Sequence, residues 1–377
     1  MTAAGLIFTN IHDRSIPELT GIRTMASVPF GCRYRLIDFA LSNMVNSGII
    51  KIGLITHYNY QSLLDHIGTG KDWDLARRHG GIKILPPYIT AYDNAAASRM
   101  YTSRLEALMG VAHFINRCTE DYIVLSDCDV ICNIDLSEVL EAHEKSGADM
   151  TFVTKKVDVS TLYSSEILPI ITADAEGRVT DFVEDNPHSG VYNICTNIMV
   201  CNRSYLQAVL ADSMAHGYSS FFRDVIARSI GRANYRVYEY DGWYADIGSL
   251  EGYFAASMRL LTPEAREGLF RIKNRPILTK VRNSAPTKYC CGAHVSNSLI
   301  ADGCVIEGTV ENSILFRGVK VGRGTVVRNS ILMQDTYTGS DVTLNCVVTD
   351  KNVMIRDGRI LSGHETMPFF IGKNGMV

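Results

Sequence analysis

The side chains with chemical potential in this sequence are two close carboxylates, a scatter of cysteines and a set of histidines. Ser126-Asp127-Cys128-Asp129 follows a strand-sized apolar run, Tyr122–Leu125, so two acids stand where a buried strand would end. Acids at strand ends hold divalent cations or cap turns, and the spacing alone leaves both open. The ten cysteines include the adjacent Cys290 and Cys291, and Cys128 and Cys132 four apart, but no C-x-x-C pair. Zinc-ligand spacing is therefore missing, and reduced thiols in the cytoplasm are expected instead of a metal cluster or a disulfide framework. None of the ten histidines shares a triad-like context with a nucleophile, so acyl-transfer and peptidase chemistry have no support.

The elements that must position such groups come in two styles. Residues 1–250 alternate short apolar strands with helical patterns. Ala4–Phe8, Ile52–Thr56, Tyr122–Ser126 and Asp149–Val153 read as strands. Arg35–Asn46, Tyr60–Ile67, Ser103–Asn116 and Leu136–Lys145 read as helices, with Gly48 as a C-cap after the first. Strand–helix–strand alternation predicts an α/β domain with a mostly parallel, Rossmann-like sheet, whose ligands bind beyond the C-terminal strand ends. The ligand-facing turns are then 9–20, 56–60 and 127–133.

Residues 251–290 read as a connector, with a helix at Tyr253–Leu261 and breaks at Pro263, Pro276 and Pro286. From 291 to 377 the pattern changes. Asn297-Ser298-Leu299-Ile300, Asn312-Ser313-Ile314-Leu315, Asn329-Ser330-Ile331-Leu332 and Asn345-Cys346-Val347-Val348 recur at spacings of 15, 17 and 16 residues. Short β-branched pieces separated by glycines lie between them, which predicts about four coils of a parallel β-helix, with an antiparallel meander as the alternative. A net charge of −3 gives no broad electrostatic reason to bind nucleic acid or an anionic membrane. No apolar run approaches the ~20 residues of a membrane span, and Met1–Phe8 carries no features of a secretory signal.

Several longer motifs carry a resemblance. Val28-Pro29-Phe30-Gly31, Arg33 to Phe39, Leu41-Ser42-Asn43 and Ile55-Thr56-His57-Tyr58 resemble the N-terminal region of ADP-glucose pyrophosphorylases, the glucose-1-phosphate adenylyltransferases. The likeness continues through His66-Ile67-Gly68, Gly80 to Pro87, Asp181 to Glu184 and Tyr244 to Leu250, and includes the C-terminal repeats, implying a left-handed β-helix. The family joins ATP to glucose 1-phosphate, releasing pyrophosphate and making ADP-glucose for glycogen or starch. The resemblance implies in-line attack at the α-phosphorus, helped by a glycine-rich phosphate cradle, cationic side chains and two aspartates holding Mg²⁺.

Against that pattern the sequence departs at one place after another. No glycine lies between Gly5 and Gly21, and Asn10-Ile11-His12-Asp13-Arg14 stands where the family has its glycine loop. Side chains resist the positive φ and close approach that a backbone cradle needs. Met25 replaces a phosphate-handling lysine beside Arg23, while Ser103-Arg104-Leu105-Glu106-Ala107 replaces a nucleotide-contacting run of small residues. Asp185 replaces a sugar-phosphate lysine, and Ala245 an arginine. Arg33, His57, Tyr58, Tyr101 and Glu184 read as remnants of the substrate pocket. Asp129 and Asp246 stand at the implied metal positions. Asp129 keeps a six-residue spacing to Asp135, and Asp127 is the alternative for the first ligand.

Framework kept and chemistry lost together imply a regulatory, non-catalytic subunit that assembles with a catalytic paralogue as a mixed tetramer. Mg²⁺ is expected only if the remnant site binds nucleotide, and metabolite effectors, ATP or sugar phosphate are possible ligands. A second reading is an active enzyme whose phosphate site is rebuilt from Arg14, Arg23, Arg33 and Arg104. A third is a β-helix acyltransferase or scaffold, for which only His294 and His364 flank the coils.

Overall fold

The computed structural model describes residues 1–86, 101–162 and 167–377. Pro87, the end of one motif quoted above, lies outside them. The strand Ala3–Phe8 is buried from its second residue onward and forms the centre of the first domain. It pairs in parallel with Lys51–Ile55 on one side and Tyr122–Asp127 on the other, and Gly81–Leu85 extends the sheet in parallel beyond Lys51–Ile55. Past Tyr122–Asp127 the pairing turns antiparallel, through Val191–Asn202 to Met150–Asp158 and to the hairpin Leu168–Ala173 and Val179–Asp185. Tyr235–Glu239 adds to Met150–Asp158 in parallel as the ninth strand among the described residues. The sheet is therefore mixed, with its regular parallel run on the side where the sequence alternation is regular.

The helix Leu36–Asn46 shows how the sequence fixes this layer. Asp38 accepts a hydrogen bond from the Arg35 N–H at 3.0 Å, closing the first turn. Leu36, Ile37, Phe39, Ala40, Leu41 and Met44 are buried, and the following Gly48 takes a φ of +76° that reverses the chain into Lys51–Ile55. Met44 packs closely on the first strand, where a Cβ at Gly5 would stand 2.3 Å from its sulfur, so a larger residue there would have to displace the Met44 side chain. The predicted helix 103–116 is two shorter ones, Arg104–Gly110 and Ala112–Asn116, because Val111 leaves helical geometry at φ −110°, ψ 14°.

The C-terminal domain is a left-handed parallel β-helix built from three five-stranded parallel sheets. It has five coils, one more than the repeats suggest, since the last coil carries no Asn-Ser pair. Asn297, Asn312 and Asn329 occupy corners at φ 38°, 45° and 44°. Ser298 and Ser313 each accept from the N–H of the serine one coil on, at 3.1 Å, forming a ladder beneath the corners. The fourth corner is Cys346 at φ 51° and not Asn345. The pairing of Arg328 with Asn345 shifts the expected register there by one residue.

The two domains share a core. Ile314, Ile331 and Val348, stacked on one β-helix sheet, are buried in one cluster with Phe30, Phe39 and Tyr253. Arg23 adds a buried ion pair across the boundary, its Nη2 lying 2.8 and 2.7 Å from the two Asp350 carboxylate oxygens.

Candidate functional site

Sheet register sets the floor of the site. Phe8 pairs with Asp127 on one side and Ile55 on the other, so the segments beginning at Thr9, Thr56 and Cys128 leave the sheet side by side. Asp127, the last residue of its strand, is buried. His12 Nε2 lies 2.9 Å from its Oδ2 and 3.4 Å from Asp129 Oδ2. The Arg104 guanidinium donates to the same Asp127 oxygen. Burial works to raise the Asp127 pKa, but the Arg104 charge and the His12 contact outweigh it and hold the carboxyl below its ordinary range.

Above this floor lies a cavity of about 370 Å³ lined by His12, Arg104, Asp129, Glu184, Tyr244 and Asp246, among others. The short strand Tyr244–Asp246 pairs with Val130–Cys132, and the Ile247 N–H donates to the Asp129 carbonyl at 2.9 Å, which brings the two acids to one cavity. Strand alternation turns Tyr244 and Asp246 inward and sends Ala245 the other way, into the apolar core.

The loop after the first strand is stitched to itself. The Asp13 N–H donates to the Asn10 carbonyl at 3.2 Å and the Ser15 N–H to the His12 carbonyl at 3.1 Å. Asn10 Oδ1 accepts from Thr9, Thr56 and the His57 N–H at 2.7, 2.9 and 3.1 Å. Asp13 accepts from the Asn10 amide and from the Met25 N–H, at 2.7 and 2.6 Å. No residue from 9 to 20 has a positive φ, so the loop has no concave array of N–H groups with which to hold a phosphate. Burial raises the Asp13 pKa from 3.8 to about 6, against the hydrogen bonds that favour its charge.

Asp129, Asp246 and Glu184 do meet at the cavity. His57, Tyr58 and Tyr101 cluster beside the loop, with ring centroids 4.5 Å (His57–Tyr101, tilted) and 4.8 Å (His57–Tyr58, edge-on) apart. Burial pushes the His57 pKa down to about 4. The other residues singled out in the sequence lie elsewhere. Arg14 is exposed. Arg23 is committed to Asp350. Met25 is buried in the shared core. Asp185 is exposed and accepts from the Asn186 N–H at 2.8 Å. Arg33 borders a separate cationic cleft between the domains, with Arg35, Lys280, Arg282, Arg317 and Lys351. Burial, reinforced by Arg35 and Arg23, lowers the Lys351 pKa to about 7. His12 was not singled out from sequence, because nothing but its place in the loop marks it. Arg104 carried a readable signal, a charge where the family has a run of small residues, that had to find a partner.

Residues 17–262 match the nucleotidyl transferase family, and residues 285–367 a GlmU-like C-terminal hexapeptide family. The glycogen biosynthesis protein GlgD of Bacillus subtilis (strain 168) is 33% identical over 371 residues, 98% of this chain and 95% of that protein. A glucose-1-phosphate adenylyltransferase of Fervidobacterium nodosum is 31% identical over 365 residues, 96% and 86% of the two chains. One from Thermotoga maritima is 34% identical over 307 residues, 80% and 70%. The chain belongs to the glucose-1-phosphate adenylyltransferase family.

For an adenylyltransferase the decisive question is whether the acids fit Mg²⁺. The ligand atoms of His12, Asp127 and Asp129 lie within 4.8 Å of one another. Mg²⁺ favours oxygen donors in near-octahedral geometry and retains several waters. Here one donor is an imidazole, and the Asp127 Oδ2 already serves Arg104 and His12. A fixed guanidinium among the ligands repels a second cation. As arranged, these residues do not fit Mg²⁺. Asp135, six residues after Asp129, caps the helix Leu136–Ser146 by accepting from the Ser137 N–H at 3.0 Å. Among the described residues, no helix is long and apolar enough to cross a membrane.

Proposed function

We propose that this chain is a regulatory, non-catalytic subunit of glucose-1-phosphate adenylyltransferase in glycogen synthesis, assembling with and activating a catalytic paralogue. The observation that carries this reading is the dispersal of the four arginines that could have rebuilt a phosphate site. Arg14 faces solvent, Arg23 is locked to Asp350, Arg33 lies in the interdomain cleft and Arg104 sits on Asp127. Transferring a nucleotidyl group needs several preorganised donors converging on one triphosphate, and the self-bonded loop supplies none to replace them. The similarity to a glycogen biosynthesis protein, GlgD, supports the place in glycogen synthesis. The cationic cleft supports the regulatory part, since clustered, partly desolvated cations favour an anionic metabolite as effector.

The deciding experiment is pyrophosphate release from ATP and glucose 1-phosphate by the purified chain, by a catalytic paralogue, and by the co-purified pair. The chain alone is expected to be inactive, and the pair to exceed the paralogue or to respond differently to effectors. Substantial turnover by this chain alone sinks the reading. One observation favours a second reading, an active enzyme: Asp129 and Asp246 still line one cavity. That reading predicts turnover by the isolated chain, lost in both Asp129→Asn and Asp246→Asn.

A further inference from the structure

Arg104 reaches the acid cluster from the first turn of the helix Arg104–Gly110 and is only 7% exposed. Its guanidinium carbon lies 4.8 Å from the Phe222 ring centroid and 5.6 Å from that of Phe8. Two aromatic rings thus hold the planar group where it meets the Asp127 carboxylate, a placement that suits arginine better than lysine. We propose that Arg104 is a resident counter-cation that closes the His12–Asp127–Asp129 cluster to divalent cations. We further propose that neutralising it turns the cluster into a site for a divalent cation that accepts an imidazole beside carboxylates more readily than Mg²⁺ does, such as Mn²⁺. This inference deepens the non-catalytic reading and rests on it.

Three features of the cluster support the inference. The donors, one imidazole and two carboxylates, lie within 4.8 Å of one another, a set that suits Mn²⁺ better than Mg²⁺. Arg104 and His12 both engage Asp127 through the same oxygen, Oδ2, which a metal would otherwise use. Asp127 Oδ1 and Arg104 Nε are buried with no hydrogen-bond partner. A buried pair retained for stability alone would be expected to satisfy these atoms. The mismatch fits a cation that stands in for another: it neutralises the acid without completing its coordination. On this view Asp127 is kept as the anchor of Arg104, which explains an acid at the strand end in a chain without a phosphate cradle.

The test titrates Mn²⁺ into the full-length chain and follows free Mn²⁺ by electron paramagnetic resonance. The unaltered chain is expected to bind no stoichiometric Mn²⁺. Arg104→Gln is expected to bind one ion per chain at least tenfold more tightly, and adding Asp129→Asn to abolish that gain. A folded Arg104→Gln chain with unchanged Mn²⁺ affinity overturns the proposal. So does one Mn²⁺ bound by the unaltered chain and lost in Asp129→Asn. If Arg104→Gln does not fold, Phe222→Leu loosens the guanidinium without deleting it. A weaker Mn²⁺ site is then expected, and its absence overturns the proposal. Pyrophosphate release is measured on the same samples. Mn²⁺ binding by an inactive unaltered chain removes the counter-cation proposal alone, whereas turnover by that chain removes the non-catalytic reading.

Discussion

Asp13 is where a single side chain should report the state of the loop. Its pKa is raised from 3.8 to about 6 by burial, so between those values the folded chain keeps a proton that the unfolded chain has lost. The stability this contributes is fully present below pH 4 and is lost as pH rises through 6. The change is on the order of 3 kcal/mol, at about 1.4 kcal/mol per pKa unit. Calorimetric melts from pH 4 to 7 should show this decline, and Asp13→Asn should flatten it. Equal slopes in the two chains would mean that Asp13 is not held in the loop as described. The missing cradle was legible from sequence because it is a matter of residue type: no glycine, no positive φ. What replaces it was not, since the hub Asn10 draws its partners from Thr56, His57 and Tyr58, segments that only the sheet register brings alongside. Arg104 was legible as a charge in place of the family's small residues but not as a partner of Asp127, for the same reason.

The elements themselves were mostly readable, because their hydrophobic periods agree with their geometry. Where the reading slipped, a local backbone demand had overridden the pattern. Val111 splits a helix whose apolar spacing runs on without a break. In the β-helix the corner needs a left-handed residue more than it needs asparagine, so Cys346 takes the turn although its neighbour Asn345 matches the motif. The energetic weight of these corners can be measured at Asn312, which sits at φ 45° and accepts from the Asn297 amide at 2.6 Å. Asn312→Ala should cost about 1–2 kcal/mol, the penalty for an ordinary side chain in left-handed geometry. Asn312→Gly should cost less, because it keeps the backbone freedom and loses only the side-chain bond. Urea denaturation distinguishes the two, and equal losses would assign the corner's value to the asparagine ladder instead.

On the scale of the whole molecule, the β-helix is bound to the α/β domain by apolar packing and by one buried charge pair. That pair redefines Arg23. The residue read as a phosphate contact, but its partner Asp350 is 327 positions away and no local pattern announces it. Both side chains are nearly inaccessible, at 2% and 1%, so deleting one strands the other in a low-dielectric interior. Arg23→Met should therefore destabilise the chain by about 3–5 kcal/mol. The double change Arg23→Met with Asp350→Leu should recover most of that loss, because it removes both desolvated charges and leaves an apolar contact. Calorimetry also reads the architecture. Ile314, Ile331 and Val348 share one cluster with Phe30 and Tyr253, so both variants should still melt in a single transition if the common core couples the domains. Two separate transitions in both variants, each of which lacks the pair, would instead assign the coupling to the ion pair. The β-helix would then communicate with the loop mainly through Arg23, the residue that leads along the chain to Met25 and its hydrogen bond to Asp13.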